Sequence, residues 1–126
     1  MLKKFLCFIE ILIAFLSNCI HNVYVNIIGR LILREFWKKH KEAQKPLERW
    51  VRVVEHAQWQ NFAQIRRTFR SADLIRVHGI RKFVVFNIGG NKYRLITTVN
   101  YQGQVVIIEV TLTHKEYSKD KWKECI

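Results

Sequence analysis

The chain reads as a single α+β domain, with helices gathered on one face of an antiparallel β-meander. Three observations carry this. Apolar residues recur with a helical period between Arg30 and Phe69, then alternate with a period of two from Phe83 onward. Tight turns at Gly89-Gly90-Asn91 and Gln102-Gly103 divide the alternating part into strands. A length of 126 residues with 49% hydrophobic content, one proline and five glycines suits one globular unit with a modest core.

The elements follow in order. Residues 23–28 form a short β-branched run, an edge strand closed by Gly29. Residues 30–40 form a helix, with Ile32, Leu33, Phe36 and Trp37 on one face and Arg34, Lys38 and Lys39 on the other. Residues 41–45 are a polar turn, and Pro46 suits the first position of a second helix. Leu47, Trp50, Val51 and Val54 then give one apolar stripe. Trp37 and Trp50 are expected to pack between helices and sheet.

Asn61 followed by Gln64 resembles a capping box ahead of a short third helix. That helix buries Phe62, Ile65 and Phe69 and projects Arg66, Arg67 and Arg70 from its other sides. Residues 71–79 read as a loop that turns at His78-Gly79. Strands then cover 83–88, 92–101 and 105–112, the last nearly all apolar and so interior to the sheet. In the middle strand Tyr93, Leu95, Thr97, Val99 and Tyr101 share one face; Lys92, Arg94, Ile96, Thr98 and Asn100 share the other. The chain leaves the sheet at Thr113. Residues 118–126 form a charged, mobile tail, apart from Trp122.

Residues 1–22 are a hydrophobic extension with three open readings. Lys3 and Lys4 before an apolar run imitate a signal peptide. Against this, Glu10 interrupts the run and no small-x-small cleavage site follows. The run is also short for a membrane span, which needs about 20 apolar residues. It could instead be an extra packing or membrane-facing helix. Or the start is assigned too far upstream, since the domain pattern begins cleanly at Val23-Tyr24-Val25.

The formal net charge is +12 and the isoelectric point is near 10.0. So large an excess repels itself unless partnered, and points to phosphate, an anionic surface or an acidic protein. Cys7, Cys19 and Cys125 are odd in number and have no metal-ligand spacing. Neither a disulfide framework nor a zinc site is supported, and a reducing cytoplasm fits best. Carboxylates are scattered, which argues against a two-metal nuclease. The strands carry basic and hydroxyl groups and end in His114, Lys115 and Tyr117. That combination suggests an RNA phosphate target with acid–base groups beside it.

Three motifs in order carry a resemblance. They are Leu33-Arg34-Glu35-Phe36-Trp37, then the run from Val85 through Asn87, Gly90, Asn91 and Arg94 to Leu95, then Thr113-His114-Lys115-Glu116-Tyr117. Together they resemble the HigB family, toxins of type II toxin–antitoxin pairs within the RelE-like fold group. The similarity spans residues 25–117, inside a domain bounded at 23–117. The resemblance implies an endoribonuclease that cuts mRNA on the ribosome without a small-molecule cofactor. It also implies inhibition by a HigA-type antitoxin with a helix-turn-helix DNA-binding domain. Some members of the wider fold group poison DNA gyrase without cutting RNA, so a non-catalytic binding protein is the alternative.

A metal-free RNase uses the substrate 2′-hydroxyl as nucleophile and needs a base, an acid and positive charge. His114 is the candidate acid or base, because an imidazole titrates near neutrality; its alternative is a structural bond at the strand end. Arg94 is the candidate phosphate clamp, with a salt bridge to Glu109 as its alternative. Lys115 could add charge, and Tyr117 could stack, donate a proton or pack. Asn91 and Lys92 could bind backbone phosphate beside the hairpin turn. Arg66, Arg67, Arg70, Arg76, Arg81 and Lys82 form a basic band suited to ribosomal RNA.

Overall fold

The computed structural model describes residues 24–126, so the readings made for residues 1–22 lie outside the described residues. Strand β1 (Asn26–Ile28) leads through Gly29 into helix α1 (Arg30–Lys39). A 3-10 turn (Lys41–Ala43), α2 (Gln44–Glu55) and α3 (Phe62–Thr68) follow. Then come β2 (Asp73–Val77), β3 (Arg81–Ile88), β4 (Tyr93–Asn100) and β5 (Val105–Thr113). Helix α4 (His114–Ser118) and a second 3-10 turn (Lys121–Glu124) end the chain. The sheet order is β1-β5-β4-β3-β2, with β1 parallel to β5 and every other pair antiparallel. The expected α+β architecture is therefore present.

One expectation needs correcting. Residues 71–79 are not a loop, because Asp73–Val77 form edge strand β2, paired from Asp73↔Val85 to Val77↔Arg81. Two charges in five residues hide its alternation, yet Val77 is buried and Ile75 half-buried while Leu74 and Arg76 are exposed. The turn at His78-Gly79 was legible, and both residues adopt positive φ (56° and 78°).

Helix starts differ in detail. α2 begins at Gln44, so Pro46 sits in the first turn rather than opening it. This costs no hydrogen bond, because N–H groups there have no intrahelical acceptor. Asn61 caps α3 by accepting from Gln64 N at 3.0 Å. Gln64 Oε1 reaches back one residue further than a capping box requires, to Gln60 N at 2.7 Å. Gly29 has φ +98°, and a Cβ there would lie 3.0 Å from Ile108 O. The close β1–β5–α1 corner therefore requires glycine.

The sheet divides the core in two. On one face α1, α2 and α3 bury Leu33, Leu47, Trp50 and Ile65 against Val84, Phe86, Leu95 and Ile108. Trp50 is fully enclosed, whereas Trp37 is only partly buried between α1 and α2. The opposite face holds Val77, Phe83, Val85 and Ile96, and Trp122 covers them. The tail therefore folds back. Trp122 Nε1 donates to Tyr117 O at 3.0 Å, and His78 Nε2 lies 3.1 Å from Lys123 O. Trp122→Ala is expected to destabilise the domain by about 3 kcal/mol. An unchanged urea midpoint would show that the tail contributes nothing to the fold.

Candidate active site

The β3–β4 turn and the β5–α4 junction meet at one end of the sheet. Register pairs Tyr93 with Thr113, and His114 N donates to Lys92 O at 2.8 Å. Thr113 and Glu116 form a reciprocal capping box (3.0 and 3.1 Å), which turns the chain sharply out of β5. The turn sets His114 and Lys115 on the exposed start of α4 and returns Tyr117 over the sheet. Tyr117 stacks on Trp122 with ring centroids 5.3 Å apart, and Arg94 Cζ lies 5.7 Å from the Tyr117 ring centroid.

Arg94 is the organising residue. It is only 8% exposed, and an arginine is rarely so buried without a partner charge. Among the described residues none of the ion pairs includes it. The salt bridge to Glu109 is not among them, and Glu109 accepts from Thr98 Oγ1 at 3.0 Å. Arg94 is held by neutral oxygens. Nη1 donates to Asn91 O and Tyr93 O, both at 3.1 Å, and Nη2 donates to Asn91 Oδ1 at 2.6 Å. Three of five guanidinium N–H donors are thereby used. The two left over are Nε–H and one Nη2–H, donors of the kind that bind a carboxylate or phosphate.

Other groups respond to this arrangement. Burial pushes the Tyr117 phenol above its ordinary pKa, and Asp73 and Asp120 push the same way while Arg94 opposes. Tyr117 is thus a proton-bearing group at neutral pH. The imidazole of His114 makes no hydrogen bond among the described residues, and Lys115 is exposed and outside their ion pairs. Lys92 is hydrogen-bonded to Glu42 at 3.1 Å, and this bond and the carboxylate charge hold its ammonium above the usual range. Asn91 spends both its oxygens on Arg94 and keeps only its amide donors for a ligand.

The structure therefore brings together Asn91, Lys92, Arg94, His114 and Tyr117, with Lys115 alongside. It does not unite the basic band. Arg81 and Lys82 are successive strand residues and point to opposite faces. Arg81 lies 4.9 Å over the Phe83 ring, on the Tyr117 side. Lys82 pairs in register with Arg76 on the helix side. Arg66 and Arg67 lie on α3, and Arg66 Nη2 reaches Arg70 O at 3.3 Å. Sequence reasoning missed the grip of Asn91 on Arg94, whose only signal is their three-residue spacing across a turn. It also missed Trp122 as the support behind Tyr117. Among the described residues no group of His, Cys, Asp and Glu could hold a metal ion. Nor among them is any helix long and apolar enough to cross a membrane.

The meander and its helical cover have the α+β architecture of RelE-like toxins. A family model described as HigB toxin, the RelE-like toxic component of a toxin–antitoxin system, matches residues 43–120. The chain belongs to this HigB toxin family. Relatives include the mRNA interferase toxin HigB of Escherichia coli K12 and the mRNA interferase HigB of Shigella flexneri. Each is 25% identical over 93 residues, covering 74% of this chain and 88% of the relative.

Proposed function

We propose that this toxin is a metal-independent endoribonuclease that cleaves mRNA in association with the ribosome in the cytoplasm. A HigA-type helix-turn-helix antitoxin holds it inactive. The observation that carries the reading is the buried Arg94, oriented by three hydrogen bonds to neutral oxygens and outside the ion pairs among the described residues. Such a guanidinium is prepaid in orientation and meets a phosphate without rearrangement. The names of the relatives and the strong positive charge support the same substrate.

In this mechanism the substrate 2′-hydroxyl attacks the adjacent phosphorus in line with the departing 5′-oxygen. Arg94 binds the non-bridging oxygens through its remaining N–H donors and stabilises the charge that grows on them. His114 transfers the proton that the attack releases or that the leaving oxygen needs. Tyr117 presents its O–H and ring beside the clamp, and Lys115 adds positive charge at the rim. The P–O bond to the 5′-oxygen breaks as the 2′-oxygen bond forms. The products are a 2′,3′-cyclic phosphate and a 5′-hydroxyl end.

The test is induced expression with 5′-end mapping of cellular transcripts. New 5′-hydroxyl ends inside coding regions are expected. His114→Ala should reduce them by about 100-fold or more, the usual scale for losing a general acid or base. Growth arrest without new ends would replace this reading with a non-catalytic poison, such as one acting on gyrase.

A further inference from the structure

A groove with a polar half and an apolar half lies on the helix-bearing side of the sheet, at the far end from Arg94. Two hollows of about 550 and 270 Å³ share Tyr101 as a common wall. Gln60, Gln102 and Gln104 line the larger hollow, and the smaller is mainly apolar, lined by Phe62, Leu74, Val84 and Val99 with Asn61 and Lys82 at its rim. Neither has an Asp or Glu in its lining. Tyr101 follows Arg94 by seven residues along β4 and beyond its end. That is about 23 Å, and an odd step, so the two side chains lie on opposite faces. The groove is separate from the cleavage site.

Two of its amide side chains, Gln104 and Asn61, are held by hydrogen bonds. Gln104 Nε2 donates to Trp59 O and to Tyr101 O, both at 2.7 Å. Both amide hydrogens are thereby used, and Oε1 remains as an acceptor. Asn61 Oδ1 caps α3, so its Nδ2 remains as a donor. Tyr101 is half-buried, and burial pushes its phenol above the ordinary range. It therefore offers both a ring face and an O–H. Lys82 is exposed and belongs to none of the ion pairs among the described residues.

Amides that donate and accept, beside an aromatic face, match the hydrogen-bonding edge and π-face of an unpaired nucleobase. A lysine at one end matches the adjoining phosphate. An apolar helix would fit the larger hollow poorly, because it would strand the glutamine amides without partners. We propose that this groove is a second RNA-contact site, taking an unpaired base against Tyr101 and the amides and its flanking phosphate at Lys82. The inference rests on RNA being the substrate of the Arg94 cluster. Its role is to hold the polynucleotide at a distance from the cut.

The test is fluorescence anisotropy of the full chain with unpaired 2′-O-methyl RNA of about 12 nucleotides, which cannot be cleaved at the methylated positions. A duplex of equal length is the control. Tyr101→Leu is expected to weaken binding of the unpaired strand by about 10-fold and of the duplex by less than about two-fold, because paired bases cannot reach the ring. Lys82→Gln should lower the slope of log Kd against log salt by about 0.7. If Tyr101→Leu fails to fold, Gln102→Leu on the exposed rim is the substitute, with a several-fold loss for the unpaired strand alone. Unchanged affinity in a folded variant, while the native chain binds and cleaves RNA, would overturn the groove and leave the cleavage site standing. Equal losses for strand and duplex would also overturn it, since only phosphate attraction would then be involved. A native chain that binds no free unpaired RNA would overturn the groove, while the transcript ends would still decide the cleavage reading separately.

Discussion

Arg94→Lys is expected to lower RNA cleavage by about 100-fold or more, although the positive charge is kept. Removing one transition-state donor typically costs on that scale. Here lysine loses more than one. Its ammonium has three donors on a flexible stem and cannot hold two backbone carbonyls and a side-chain amide while donating to phosphate as well. The loss should fall on kcat more than on KM, because the charge still attracts RNA while the oriented fork is gone. The variant should also be less stable by about 1–3 kcal/mol, the range for leaving buried acceptors unsatisfied. Asn91 O and Tyr93 O are the acceptors at risk. Cleavage by folded protein, measured as initial rates below and above KM, separates the two effects. A folded Arg94→Lys protein with near-native kcat would remove Arg94 from the mechanism and leave a general electrostatic role.

How much of this was legible in the sequence depends on where each signal lives. The helices and the β3–β4–β5 meander were legible because each has a burial face that repeats at its own period. Leu47, Trp50 and Val54 are all buried on one stripe of α2. The period-two split of β4 also survives, with Tyr93 and Leu95 toward the helices and Ile96 in the second cluster beside Arg94. Strand β2 was not legible, since an edge strand with an exposed leucine and arginine shows little contrast between its faces. Its identity comes from pairing with β3, which is non-local information.

The candidate site was legible as a set of residue types, and its geometry was not. His114 and Tyr117 stood out by chemistry and close spacing. Thr113 and Glu116 have the local spacing of a capping box, but nothing local showed that the turn brings Tyr117 back toward Arg94. The salt-bridge alternative for Arg94 assumed that Glu109 lay opposite on the same ladder. The irregularity at Ile96/Thr97 breaks that count, because Ile96 pairs with Val110 and Thr97 with Ile108, leaving Glu109 unpaired between them. A bulge residue of this kind cannot be counted from sequence alternation. Likewise the basic band looked continuous along the chain, but strand alternation sends Arg81 and Lys82 to different sides.

Phe86→Ala should have the largest effect on stability, about 4 kcal/mol within the range for such truncations. Phe86 is fully buried and joins three separate segments. Its ring centroid lies 5.3 Å from Trp50 on α2, 6.2 Å from Trp59 in the loop and 5.1 Å from Phe69 after α3. Truncation removes these ring contacts together with the transfer free energy of the side chain. The cavity should stay dry. Trp50, Trp59 and Phe69 border it with their rings, and a buried water needs two to four polar partners. No hydration therefore offsets the loss. Domains of this size are stable by about 5–15 kcal/mol, so the variant should be folded at low temperature and melt well below the native chain. Because Phe86 faces the helices and Arg94 faces away from them, cleavage per folded molecule should be unchanged. Urea denaturation and rates normalised to folded fraction check both halves. A midpoint shift worth less than about 1.5 kcal/mol, the scale of a volume-conserving swap, would mean that the aromatic cluster closes over the gap and that α2 and α3 are not pinned through Phe86.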